Sequence, residues 1–151
     1  MNPLKNIIRP DHIANNLAQA KLKINQPDSA IYYNRKAYRY AQKTHSRRGI
    51  PNCEQTFGEI YLSQKQFDSA QFYFAKSILS AQRSVYHDIE LVGYGFLMEC
   101  KPNDISKDEN YYQAGLKLMQ SQSINLAFRK YFLKKHLQPL KADNPKEKIS
   151  F

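Results

Sequence analysis

Apolar and polar residues along this chain recur at helical spacing, and in one stretch the same pattern is written twice. From Phe67 the apolar positions run Phe67, Ala70, Phe74 and Ile78, three or four residues apart, which lines one face of a helix. The stretch Asp28–Gln42 returns forty residues later as Asp68–Gln82. Asp28, Ser29, Ala30, Tyr33, Lys36, Ala41 and Gln42 reappear as Asp68, Ser69, Ala70, Tyr73, Lys76, Ala81 and Gln82. Each copy follows a second apolar-periodic segment, so the repeating object is a pair of helices, and a fixed period of this size marks stacked structural units. The pattern predicts helices near 11–24, 28–45, 51–63, 67–86, 88–100 and 107–120. Ser106-Lys107-Asp108-Glu109 reads as a capping box opening the last of these, through Tyr111, Tyr112 and Leu118. Lys101-Pro102-Asn103 supplies breakers before it.

A seventh helix is predicted near 123–137, capped by Ser123 and carrying Ile124, Ala127, Phe128, Tyr131 and Phe132 before Pro139 intervenes. Arrays of stacked units expose an open apolar end unless a final helix covers it, so this segment reads as a capping helix. The alternative is a docking helix for a partner or for a second copy of the chain. The expectation is a single all-α domain over 1–141, with repeats at about 11–50, 51–87 and 88–121, followed by a polar tail at 142–151. Only five Gly in 151 residues, and no strand-like alternation, agree with an all-helical chain.

Phe57-Gly58-x-x-Tyr61, followed by Ala70 and Phe74, resembles the tetratricopeptide repeat, in which helix A carries a large apolar residue, a small one and a Tyr, and helix B a small residue and then an aromatic. Gly58 and Ala70 would stand where the two helices cross, since only small side chains let the axes approach. In the first pair the equivalent positions hold Leu17, Ala18, Lys21, Pro27, Ala30 and Asn34, with Lys21 and Asn34 where an aromatic is expected. A third helix A matches through Tyr94, Gly95 and Met98. The resemblance implies a right-handed superhelix of antiparallel helix pairs. The usual repeat is 34 residues and often closes with proline, whereas Gln42 and Gln82 stand at those places, so helix B can run on by a turn. Longer repeats of this kind look like those of bacterial regulatory proteins, which implies a scaffold or sensory role.

Composition narrows the class. No apolar run approaches the length of a bilayer span, and Met1–Pro10 lacks the apolar stretch of a signal peptide, so a soluble, cytoplasmic protein is expected. Cys53 and Cys100 fall in different helices A and read as two reduced thiols. The net charge of +10 is uneven: Arg35, Lys36, Arg39, Lys43, Arg47 and Arg48 lie in one stretch without an acid. Arg35, Arg39 and Lys43 recur every four residues and form a stripe with Tyr32 and Tyr40 nearby. That stripe could follow a nucleic-acid backbone, attract an acidic protein partner, or be a solvated face.

Catalysis finds little support. His12, His45, His87 and His136 are scattered, no pair has the spacing of a helical metal site, and no Gly-rich loop precedes a helix to cradle phosphate. Adjacent His87 and Asp88 would point about 100° apart on a helix. Glu54 and Glu59 come without the second group of an acid–base pair. No enzyme, metal or cofactor is expected. The resemblance implies instead that helices A line a concave groove, with His12, Asn15, Asn16, Gln19 and Lys23 in the first and Asn52, Gln55, Glu59, Leu62 and Ser63 in the second. The family's clamp for a carboxylate terminus is missing, because Asn15, Gln19, Val92 and Phe96 stand at its positions. Amide side chains there suit hydrogen bonding to an extended peptide, or are simply solvated.

Overall fold

The computed structural model describes residues 9–100 and 105–121; the expected capping helix at 123–137 and the tail at 142–151 lie outside them. Those residues form six helices and no strand: α1 (Pro10–Lys23), α2 (Pro27–Lys43), α3 (Gly49–Ser63), α4 (Phe67–Ser84), α5 (His87–Cys100) and α6 (Ile105–Ser121). None of these helices is long and apolar enough to cross a membrane. Pro10 and Pro27 occupy the first position of α1 and α2, where a missing N–H costs nothing and the fixed φ suits a helix. Two starts differ from expectation by more than one residue. Helix α3 begins at Gly49, two residues early, because Ser46 Oγ accepts the Gly49 N–H at 3.0 Å and Pro51 is tolerated in the first turn. Helix α6 begins at Ile105, so Ser106 falls inside its first turn and not at the cap.

The forty-residue recurrence extends to the turns. Asn25 and Lys65 have φ of 60° and 58°, and His45 and Val85 have φ of 51° and 61°. Each is followed by an N–H reaching back five residues: Gln26 to Lys21 and Gln66 to Tyr61, both at 2.9 Å, then Ser46 to Ala41 at 2.8 Å and Tyr86 to Ala81 at 2.9 Å. This left-handed closure satisfies carbonyls at the end of the preceding helix. The turns are short, so neighbouring helices pack as pairs: α1 on α2, α3 on α4 and α5 on α6, with α2 on α3 and α4 on α5 continuing the stack. The α3/α4 pair is antiparallel, since Tyr61 meets Tyr73 while Pro51 accepts from Ser77 at the other end.

Packing follows side-chain size. Gly58 lies against the Phe74 ring and Gly93 against Ile78, so α4 is approached closely by both α3 and α5. Phe74 is fully buried and stacks on Phe96 with ring centroids 4.8 Å apart. Ala70, Ile78, Leu97 and Cys100 complete that cluster, while Leu91, Met98, Tyr112 and Met119 join α5 to α6. Burial of one such aromatic contributes about 1.5–3 kcal/mol. Ala30 and Ala70, the repeated small residues, are both completely buried.

Leu17 departs from the resemblance. Its counterpart Phe57 is 5% exposed, covered edge-on by Tyr38 of the preceding helix, whereas Leu17 is 37% exposed. Among the described residues no helix precedes α1, so nothing there can supply the cover that Tyr38 gives to Phe57.

Candidate interaction surfaces

On the side where α3 touches both α1 and α5, the expected groove residues take different roles. Asn15 belongs inside: it is 7% exposed, and its amide donates to Asn34 Oδ1 at 3.0 Å and to Thr56 Oγ1 at 2.9 Å. Asn34 in turn donates to the Cys53 carbonyl at 2.8 Å. The missing aromatic at Asn34 is therefore replaced by a buried amide network joining three helices, and Asn15, expected in the groove, is part of that network. Such a network is stable only while every member is satisfied, since an orphaned buried amide costs about 1–3 kcal/mol.

Gln19 and Gln55 act as half-buried rungs. Gln19 Nε2 reaches Thr56 Oγ1 at 3.4 Å, and Gln55 Nε2 donates to the Ile89 carbonyl at 3.1 Å, linking α1 to α3 and α3 to α5. His12 is partly buried beside the buried Asp11 carboxylate, its Nε2 3.8 Å from Oδ2. Asn52 and Glu59 are partly exposed, Asn16, Lys23 and Ser63 exposed, and Leu62 leans on the Phe74 cluster while keeping some exposure. Thr56, which collects the bonds from Asn15 and Gln19, carried no signal in the sequence; its hydroxyl donates to the Asn52 carbonyl at 3.0 Å, one turn back.

The basic stretch divides as well. Arg35, Lys36, Arg39, Lys43 and Arg47 are exposed, with the Lys36 ammonium 4.6 Å from the centre of the Tyr32 ring. Arg48 is only partly exposed and is engaged elsewhere. It grips Asp88 with two hydrogen bonds, at 2.6 Å and 3.3 Å, and lies over the Tyr86 ring, tying the start of α3 to the start of α5. Burial alone would raise the Asp88 carboxyl, but the Arg48 hydrogen bond and charge outweigh it and hold Asp88 below its ordinary value.

Besides Asp11, two buried carboxylates lie between the helices among the described residues. Glu54, read from sequence as lacking an acid–base partner, accepts from Tyr38 O–H at 2.9 Å and is 1% exposed. Burial raises its pKa, opposed by the Tyr38 bond and by the charges of Lys76 and Arg83. The Tyr38 hydroxyl is itself pushed up by burial and by Glu54. Glu90 accepts from Tyr94 at 2.6 Å and Gln82 at 3.1 Å, closing α4 onto α5. Among the described residues no group of His, Cys, Asp and Glu is placed to hold a metal ion. No family model, no curated protein and no solved structure matches the chain.

Proposed function

We propose that this chain is an interaction module of tetratricopeptide-repeat type, a right-handed superhelix of helix pairs that holds an extended peptide of a partner protein on the side shared by α1, α3 and α5. Its role is that of a scaffold or sensory part of a regulatory system, with no catalytic step. The observation that carries this reading is the forty-residue recurrence, present in residues from Asp28–Gln42 to Asp68–Gln82 and in backbone from Asn25 and His45 to Lys65 and Val85. Equal turns rotate successive pairs by equal amounts, which puts the first helix of each pair on one side. On that side Gln19 and Gln55 each use one N–H on a neighbouring helix, leaving a second N–H and a carbonyl oxygen without a partner among the described residues. A donor and an acceptor on one amide complement the backbone of an extended peptide.

Selection of a random peptide library on the immobilised protein tests the reading. Peptides retained by the wild type are expected to lose about 1–3 kcal/mol of affinity to the Gln19→Ala, Gln55→Ala double variant, at about 0.5–1.5 kcal/mol for each lost hydrogen bond. Selected peptides that bind this variant unchanged would place the ligand elsewhere. A mobility-shift assay at two salt concentrations tests the other reading, nucleic acid on Arg35, Lys36, Arg39, Lys43 and Arg47, which demands tight and steeply salt-dependent binding.

A further inference from the structure

Between α2 and α4 the surface opens into a cleft of about 290 Å³ whose lining is aromatic below and cationic above. Arg35, Arg39 and Gln42 descend from α2 and Lys76 from α4. No Asp or Glu lines the cleft, and among the described residues none of its three cations forms an ion pair. The floor is built of rings turned toward one another. Tyr61 stacks on Tyr73 with centroids 5.6 Å apart and an interplanar angle of 11°, Phe57 meets Tyr73 at 5.0 Å, and Tyr38 stands edge-on to Phe57 at 5.7 Å. The Lys76 ammonium lies 5.8 Å from the Tyr38 ring, and the Tyr38 hydroxyl is spent on Glu54.

We infer that this cleft is a docking site for a carboxylate-rich segment of a partner protein, one acidic side chain sitting between the guanidinium groups and Lys76 and an adjacent apolar side chain lying against the ring floor. Guanidinium forks and an ammonium pointing into one concavity favour a compact anion with several acceptor oxygens. The rings argue against nucleic acid at this place. Single-stranded recognition stacks bases on free ring faces, whereas Tyr61 and Tyr73 already cover each other and Phe57 is 5% exposed. Its cations come from the second helices of the pairs, α2 and α4, while Phe57 and Tyr61 of α3 contribute to the floor, and no residue of the proposed groove lines it.

The test is fluorescence anisotropy with a labelled peptide of alternating glutamate and leucine, a matched glutamine–leucine peptide, and a labelled oligothymidylate. The glutamate peptide should bind, and the glutamine peptide should bind at least about tenfold more weakly. Arg35→Glu with Arg39→Glu should weaken the glutamate peptide at least about tenfold, whereas Lys43→Glu with Arg47→Glu, the same charge change outside the cleft, should change it less than about threefold. Equal losses from the two pairs would reduce the effect to net charge and overturn the site. Tighter binding of oligothymidylate would overturn it in favour of nucleic acid. Should the Arg35, Arg39 variant fail to fold, Lys76→Gln decides: an unchanged affinity overturns the proposal. The Gln19→Ala, Gln55→Ala variant should hold the glutamate peptide as the wild type does, and a loss there would move that peptide into the groove.

Discussion

Replacing Gly58 probes the closest approach of α3 to α4. A Cβ added there would lie 2.6 Å from both Cδ1 and Cε1 of Phe74 and 2.9 Å from its Cζ. Carbon atoms in comfortable contact stand about 3.5–4.0 Å apart, so the ring would have to retreat by about 1 Å. It has little room to do so, because Phe74 is completely buried and is stacked on Phe96 at 4.8 Å with an interplanar angle of 5°. Overpacking of this kind costs about 1–3 kcal/mol. Against it stands a gain of about 1 kcal/mol for removing a glycine from a helix interior. The net expectation for Gly58→Ala is a loss of up to about 2 kcal/mol, and for Gly58→Leu, which adds three more carbons, a loss toward the upper end of the overpacking range. Urea unfolding followed by circular dichroism measures both. The cycle with Phe74→Leu isolates the cause: once the ring is gone, Gly58→Ala should become neutral or stabilising by up to about 1 kcal/mol. If Gly58→Ala stabilises the wild type as much as it stabilises the Phe74→Leu background, the contact does not govern the hairpin and the reasoning fails.

Other consequences can be measured on the same preparation. Burial raises the Glu54 pKa in the folded protein, so the charged form opposes folding: the stability this group contributes is present below its unfolded value and lost as pH rises through the folded one. Glu54→Gln, which keeps an acceptor for Tyr38, should therefore be more stable than wild type at neutral pH and lose that advantage below about pH 4.3; a pH-independent difference in urea midpoints would contradict this. Val85 is a β-branched residue held at φ 61° and ψ 38°, where L side chains pay about 1–2 kcal/mol and glycine does not. Val85→Gly should raise stability by roughly 0.5–1 kcal/mol after the entropy cost of glycine, and a lowered melting temperature would show that this turn is not strained. Burial, together with the Asp11 and Glu54 charges for Cys53 and the Glu99 charge for Cys100, pushes both thiols up to about 12. Neither should react with a disulfide reagent at pH 8 until denaturant is added, and rapid native labelling of either would contradict their burial.

The helices were legible in the sequence because their determinants are local. Apolar residues three and four apart fix which face of a helix is buried, and Pro10 and Pro27 mark two of the starts. The repeated stretch at Asp28–Gln42 and Asp68–Gln82 also foretold equal burial of Ala30 and Ala70, and the small residue at Gly58 foretold the close crossing with α4. Lys76 and Tyr73 stood in plain view as the second copies of Lys36 and Tyr33, yet nothing local said that they would meet Arg35 and Arg39 across a cleft. Asn15 looked like an amide facing the groove, and it became buried because Asn34 and Thr56 arrive from two other helices to satisfy it. Arg48 looked like one more cation of a basic run until Asp88, forty residues on, claimed it. Periodicity sets how far each helix runs and which face turns inward, but polar side chains find partners according to how the helices are rotated and how closely they cross. Those quantities depend on the packing of Gly58, Phe74, Gly93 and Ile78 together, so the fate of each polar group was decided only in the assembled fold.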